Sequence, residues 1–307
     1  MGNWFRTTFF LGIMTALIVL VGDLLGGRQG MILAFILAIG MNFFSFWFSD
    51  KIVLRMYRAR EVSHGQLPEL YNMVSQIAQR AQLPMPKVFI MPEEAPNAFA
   101  TGRNPEHAVI AITEGLLKTM DTEELRGVLA HEMAHVKNRD ILIGSIAATM
   151  AGAIMILATT ARWTALFGVG SGDDDEGGGL GALGLIVMSI LAPLAAVIIQ
   201  MAISRSREYH ADSTGAGFAG NPKGLAGALE KLGAYSKTLP MEANPSTAHM
   251  FIVNPLSAGS LMGLFSTHPP LEDRIARLRG RRSDMPFERQ EDRGKKAAEA
   301  AWRRLSG

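Results

Sequence analysis

The 307-residue chain contains no cysteine. Disulfides, thiolate metal ligands and a cysteine nucleophile are therefore excluded, and any metal site must be assembled from His, Asp or Glu. Charged residues make up only 19% of the chain and leave a net charge of +2. With no basic stripe interleaved with aromatics, bulk electrostatics give no reason to expect nucleic-acid binding. No glycine-rich phosphate loop follows a strand pattern, and no internal repeat is visible. Histidine is sparse as well, at seven residues.

Apolar residues, by contrast, form 48% of the chain and are gathered into runs. Four stretches (7–25, 31–48, 141–161 and 180–203) approach the roughly 20 apolar residues needed to cross a bilayer as a helix. A core helix of a soluble protein rarely stays apolar on every face for so long. A retained hairpin fits the first two runs better than a cleaved leader, because only Gly26-Gly27-Arg28-Gln29-Gly30 separates them and no small-residue cleavage site stands out. Lys51, Arg55, Arg58 and Arg60 follow the second run, Lys137 and Arg139 precede the third, and Arg205 and Arg207 follow the fourth. The loop between the last two runs is acidic, Asp173-Asp174-Asp175-Glu176. The positive-inside rule then places the basic segments, both termini and all soluble parts in the cytoplasm. Arg162, beside Trp163, is the exception and can snorkel.

Between the second and third runs the pattern changes to a small mixed unit. Residues 66–83 have helical periodicity ended by Pro84, residues 87–91, 97–101 and 108–112 read as strands, and Asp121 with Glu124 forms a capping box for the next helix. After the fourth run, Asn221-Pro222 starts a helix to about residue 232, and residues 271–278 form another behind His268-Pro269-Pro270. The charged tail from 281 carries no assigned chemistry.

The capped helix leads into His131-Glu132-Met133-Ala134-His135. Histidines four apart stand one turn apart on one helical face, so both rings can reach one metal, and Glu132 is turned roughly 100° away, placed to act on a water rather than on the metal. A zinc site of this kind needs a third protein ligand and one open position. No histidine follows at short spacing. Glu208, four residues before Asp212, is the candidate, because a hairpin formed by runs three and four returns the chain to the membrane face it left near Asp140. Asp212 is then placed to orient a ligand imidazole. Asn97, Ala98 and Phe99 read as an exposed strand, either a plain surface strand or an edge onto which an extended substrate pairs. His268 has two readings, an oxyanion stabiliser or a packing residue before the prolines. Asp140 is either an orienting group or a helix-end residue. His64, His107 and His249 read as surface or structural, and His210 lies on the face away from Glu208.

The ordered set Pro96-Asn97-Ala98-Phe99-Ala100, His131-Glu132-x-x-His135, apolar hairpin, Glu208-x-x-x-Asp212 and His268-Pro269-Pro270 resembles the HtpX group of membrane zinc metallopeptidases, gluzincins related to the CAAX prenyl proteases. The resemblance covers most of the chain. It implies a multi-pass protein of the bacterial inner membrane, active at the cytoplasmic side in stress response and protein quality control. One Zn²⁺ per chain would be held by His131, His135 and Glu208, with Glu132 as base and misfolded or damaged membrane proteins as substrates. The fold expected is a mostly α membrane protein with four hydrophobic helical segments and a cytoplasmic α+β zinc-metallopeptidase domain. Its parts are an N-terminal transmembrane hairpin (1–50), a cytoplasmic part with the His131 helix (51–140), a second hairpin (141–203), a cytoplasmic part with the third ligand (204–280) and a charged tail (281–307). Two rival readings are a peptidase dedicated to one processed or lipidated substrate, and a catalytically silent scaffold or chaperone. The intact Glu132 argues against the second.

Overall fold

The computed structural model describes residues 3–152, 205–238, 244, 246–253 and 269–280. Helix α1 (Asn3–Met56) is helical along its length but reverses direction. Asn42 donates to the Thr15 hydroxyl at 2.8 Å, although 27 residues of straight helix would put them about 40 Å apart. Gly27, at φ +54°, lies between them in a left-handed conformation that glycine adopts without penalty. The two arms are therefore packed side by side. Among the described residues only Gly27–Met56 is long and apolar enough to cross a membrane; Leu11–Leu20 and Ile141–Gly152 are shorter apolar helices. Leu33 is 68% exposed and Ile36 62%, an apolar face that water would not tolerate at this size. Four spanning segments are thus not observed as expected: one clear span stands, and the rest of run three and all of run four lie outside the described residues.

The mixed unit contains strands β1 (Arg60–Val62), β2 (Lys87–Met91), β3 (Ala98–Thr101) and β4 (Val109–Thr113) in the order β1-β2-β4-β3. β2 and β4 are parallel, with Phe89 opposite Ala111; the outer strands are antiparallel, with Phe99 also opposite Ala111. Helix α2 (Pro68–Ala81) presents Leu70, Val74, Ile77 and Ala81 to the core, the stripe its periodicity dictates. Helix α3 (Glu114–Thr119) is a short turn into α4 (Thr122–Lys137). The α4 capping box is complete: Asp121 accepts from the Glu123 and Glu124 amides, and Glu124 accepts from the Asp121 amide, each at 2.9 Å.

The described C-terminal elements are α5 (Ile141–Gly152), α6 (Arg205–Ala219), α7 (Pro222–Thr238) and α8 (Leu271–Leu278). Helix α4 lies at the centre, between the sheet and the pair α6 and α7. Its middle is buried, with Val128, Leu129, Ala130, Met133 and Ala134 at 0% exposure. A second cluster joins Met14 of α1 to Ile143, Ile146 and Met150 of α5, so the α1 hairpin packs against the helix that leaves the mixed unit. At the far end of α1, Arg103 lies over the Trp47 ring at 5.0 Å, and Tyr57 and Phe99 each meet the Phe251 ring edge to face. These contacts fix the mixed unit at the basic end of the apolar span.

Candidate active site

α4 and α6 cross at Gly215. A Cβ there would lie 2.8 Å from His131 Cα and 2.9 Å from His131 N, closer than any real Cβ contact, so only glycine lets the two backbones approach this far. Asp212 and Glu208 are three and seven residues earlier in α6, on the same face, and the close crossing brings both carboxylates onto the histidines of α4. The imidazole nitrogens His131 Nε2 and His135 Nε2 are 3.2 Å apart. Glu208 approaches them with Oε2 at 3.8 Å from His131 Nε2 and Oε1 at 3.5 Å from His135 Nε2. Candidate ligand atoms of the three residues all lie within 4.8 Å of one another.

This donor set fits a zinc ion. His131 Nδ1 lies 3.0 Å from Asp212 Oδ1, and His135 Nδ1 lies 3.3 Å from Asp140 Oδ2. Each ring thus has a carboxylate at Nδ1 and turns its Nε2 towards the other ring. Two nitrogens with converging lone pairs beside a carboxylate need a cation between them, and two imidazoles with one carboxylate are a usual zinc ligand set. All three side chains line one cleft with Glu132, Ala100, Arg207, His249 and Phe251.

Glu132 is 2% exposed. Burial pushes its carboxyl above the usual carboxylate range, against the lowering effect of the neighbouring histidines and of a hydrogen bond from the Ala100 amide. Burial also works against charge on His135, but the carboxylates of Glu208, Asp140 and Glu132 outweigh it and raise the imidazole to about 9. At Asp212 burial opposes ionisation, yet the Arg274 guanidinium and His131 hold the carboxyl well below the usual range.

Arg274 escaped the sequence reading. Fully buried in α8, it donates from Nε and Nη2 to the two Asp212 oxygens at 2.9 and 2.7 Å and from Nη1 to the Ile252 carbonyl at 3.0 Å. Nη2 also lies 3.4 Å from His131 Nε2, and Nη1 3.7 Å from Glu208 Oε2. A signal was present: Leu271, Arg274, Ile275 and Leu278 occupy one face of a short amphipathic helix. A guanidinium on an apolar stripe demands a buried partner.

Two expectations change. Asn97, Ala98 and Phe99 do form strand, but not an exposed edge: they are 4%, 0% and 0% exposed. The Ala98 carbonyl accepts from the Ile252 amide at 3.1 Å, and Asn97 Nδ2 donates to the Val253 carbonyl at 3.0 Å. The chain's own segment 251–253 covers that edge, leaving Ala100 as the strand residue that lines the cleft. Of the two readings of His249, surface or structural, the first falls: it is 7% exposed, in the cleft wall, with Nε2 3.2 Å from the Gly144 carbonyl. No spacing pattern links it to the His131 helix, so the sequence carried no signal for it. Asp140, left open between two roles, faces His135. His210, His64 and His107 are exposed, and His268 lies outside the described residues.

Residues 65–282 match Peptidase family M48. A protease HtpX homolog of Desulfatibacillum aliphaticivorans is 65% identical over 282 residues, covering 92% of this chain and 91% of that protein. Another, from Desulforapulum autotrophicum, is 66% identical, with 91% and 90% covered. The crystal structure of S. mikatae Ste24p superposes with a TM-score of 0.49 at 20% identity, over 87% of this chain and 62% of that one. The family match and these identities decide the affiliation: the chain belongs to peptidase family M48 and is a membrane metalloprotease similar to the HtpX homologues.

Proposed function

We propose that the protein is a zinc endopeptidase that cleaves misfolded or damaged membrane proteins at the cytoplasmic face of a bacterial inner membrane. One Zn²⁺ would be held by His131, His135 and Glu208. The observation that carries this reading is the convergence of two imidazole nitrogens and a carboxylate in a cleft that also contains Glu132.

Zinc bound there would polarise the scissile carbonyl and acidify water. The remaining chemistry belongs to the chain. Glu132 takes the proton of the attacking water and hands it to the leaving amine, a role that suits a carboxyl whose proton affinity burial has raised above that of a free carboxylate. The Ala100 amide holds the Glu132 carboxylate in place. Asp212 orients His131, and His268 is the proposed donor to the developing oxyanion. No covalent enzyme intermediate is required.

The site's place relative to the membrane rests on three observations. Lys51 and Arg55 lie in the last turns of the apolar span Gly27–Met56, and Arg58 and Arg60 follow it. Arg103 of the mixed unit stacks on Trp47 near that end. The cleft is lined by Ile141 and Gly144 at the start of apolar helix α5, so an opening at this level favours substrates presented from the bilayer. Runs three and four would complete a second hairpin, separating residues 51–140 from 204–280 as two cytoplasmic parts.

Glu132→Gln tests the mechanism. In detergent, with added Zn²⁺ and an unfolded membrane-protein substrate, the variant should lose proteolysis by a factor of about 10² or more while binding zinc like the wild type. Residual activity near the wild-type level would remove Glu132 from the role of base.

A further inference from the structure

We infer that each imidazole of the proposed metal site is oriented by its own carboxylate–guanidinium pair, His131 by Asp212 with Arg274 and His135 by Asp140 with Arg207. The inference rests on the proposed ligand set and adds Asp140, Arg207 and Arg274 to it as positioning residues.

The two arrangements match in form but come from different parts of the chain. On one side, His131 Nδ1 faces Asp212 Oδ1 at 3.0 Å, and Arg274 grips both oxygens of Asp212. On the other, His135 Nδ1 faces Asp140 Oδ2 at 3.3 Å, and Arg207 Nη1 lies 3.7 Å from Asp140 Oδ1. Asp140 is 8% exposed and Asp212 4%. A carboxylate so buried keeps its charge only beside a cation, and a charged carboxylate at Nδ1 fixes the proton there and leaves Nε2 as the ligand atom.

Local backbone geometry explains how Asp140 reaches its histidine. α4 ends at Lys137, Arg139 adopts a left-handed φ of +58°, and the Asp140 amide returns to the His135 carbonyl at 2.9 Å. The turn that closes α4 therefore swings Asp140 back beside the ring one turn earlier. Arg207 stands immediately before Glu208 in α6, so the helical turn that brings the proposed third ligand also brings the cation for Asp140. The pairs differ in one testable respect. Arg274 grips Asp212 in bidentate fashion and its planar fork has no lysine equivalent, whereas the Arg207–Asp140 approach at 3.7 Å is a charge contact that an ammonium can replace.

The experiment measures the zinc dissociation constant of the full chain in detergent by competition with a chromophoric chelator. A thermal melt confirms folding of each variant, and Arg279→Ala, which breaks a surface pair with Glu230, serves as control. Asp140→Asn and Asp212→Asn should each weaken zinc by about 10–100-fold. Within the Asp140 pair the effects should not compound: Arg207→Met added to Asp140→Asn should cost little beyond the aspartate variant. Across pairs, Asp140→Asn with Arg274→Met should multiply. Arg207→Lys should retain affinity and Arg274→Lys should not. A dissociation constant within twofold of wild type for Asp140→Asn, or full compounding within the Asp140 pair, overturns the inference. Should an arginine variant fail to fold, the two asparagine variants decide alone. Glu208→Gln separates the two levels: undiminished zinc there sinks the ligand set itself, whereas loss there with no effect at Asp140 sinks only the paired-support inference.

Discussion

Gly215→Ala puts one methyl group into the crossing that brings the two halves of the site together. Its Cβ would sit 2.8, 2.9 and 3.0 Å from His131 Cα, His131 N and Ala130 C. All three are backbone atoms of α4, so no side chain can swing aside. Ordinary carbon contacts lie near 3.5–4.0 Å, so α6 must withdraw by roughly 0.7 Å or more. Asp212 is three residues from the strained point, and its 3.0 Å approach to His131 would open beyond hydrogen-bond range; Glu208, two turns away, would tilt off with it. Overpacking of this kind costs about 1–3 kcal/mol, a fall of roughly 2–4 °C in melting temperature per kcal/mol for a unit of this size. Loss of an orienting partner should weaken zinc by about 10–100-fold. Gly217→Ala is the matched control: the same substitution two residues on, where a Cβ meets nothing within 4 Å, should leave zinc unchanged and stabilise by up to about 1 kcal/mol. Zinc affinity by chelator competition and a thermal melt read both variants. Equal zinc affinity in the two alanine variants would refute the claim that the α4–α6 approach builds the site.

Other outcomes follow from single contacts. Asp121→Ala removes the acceptor for two amides at the start of α4 and should cost about 1 kcal/mol in a denaturant melt, with zinc binding retained because the ligands lie more than two turns away. Asn97→Ala leaves the Val253 carbonyl and the Ala98 amide without their buried partner; it should cost about 1–3 kcal/mol and raise KM more than it lowers kcat, because the cleft wall loosens. Metal-free Glu132→Gln should melt higher than metal-free wild type at pH 7. The Glu132 carboxyl holds its proton to higher pH folded than unfolded, so its ionised form costs stability above the unfolded pKa of about 4.3. That difference should shrink as pH falls towards 4, and equal melting at pH 7 would contradict it.

Much of this arrangement was legible before the structure. The Asp121–Glu124 box, the His131–His135 helix and strands β2 and β4 are set by local chemistry, namely caps, periodicity and β-branched runs, and local chemistry is what a sequence displays. The span 271–278 was also readable from its apolar stripe. What escaped depends on distant chain segments meeting. Arg274 looks like one arginine among many until α8 docks and carries it to Asp212, and His249 faces the cleft only because residues 251–253 lie along β3. The same contact buries Asn97 and Phe99, whose sequence suggests an open edge; a pairing partner 156 residues away leaves no mark on local pattern. Gly215 was invisible for the same reason, since the need for a glycine arises from α4 and not from α6.

The central claim, that His131, His135 and Glu208 together hold one zinc beside Glu132, is tested most directly by elemental analysis of the purified full chain and two variants. Wild type and Glu132→Gln should each contain about one zinc per chain, and Glu208→Ala should contain almost none while keeping the far-ultraviolet circular dichroism of the wild type. Full zinc occupancy in Glu208→Ala would contradict it.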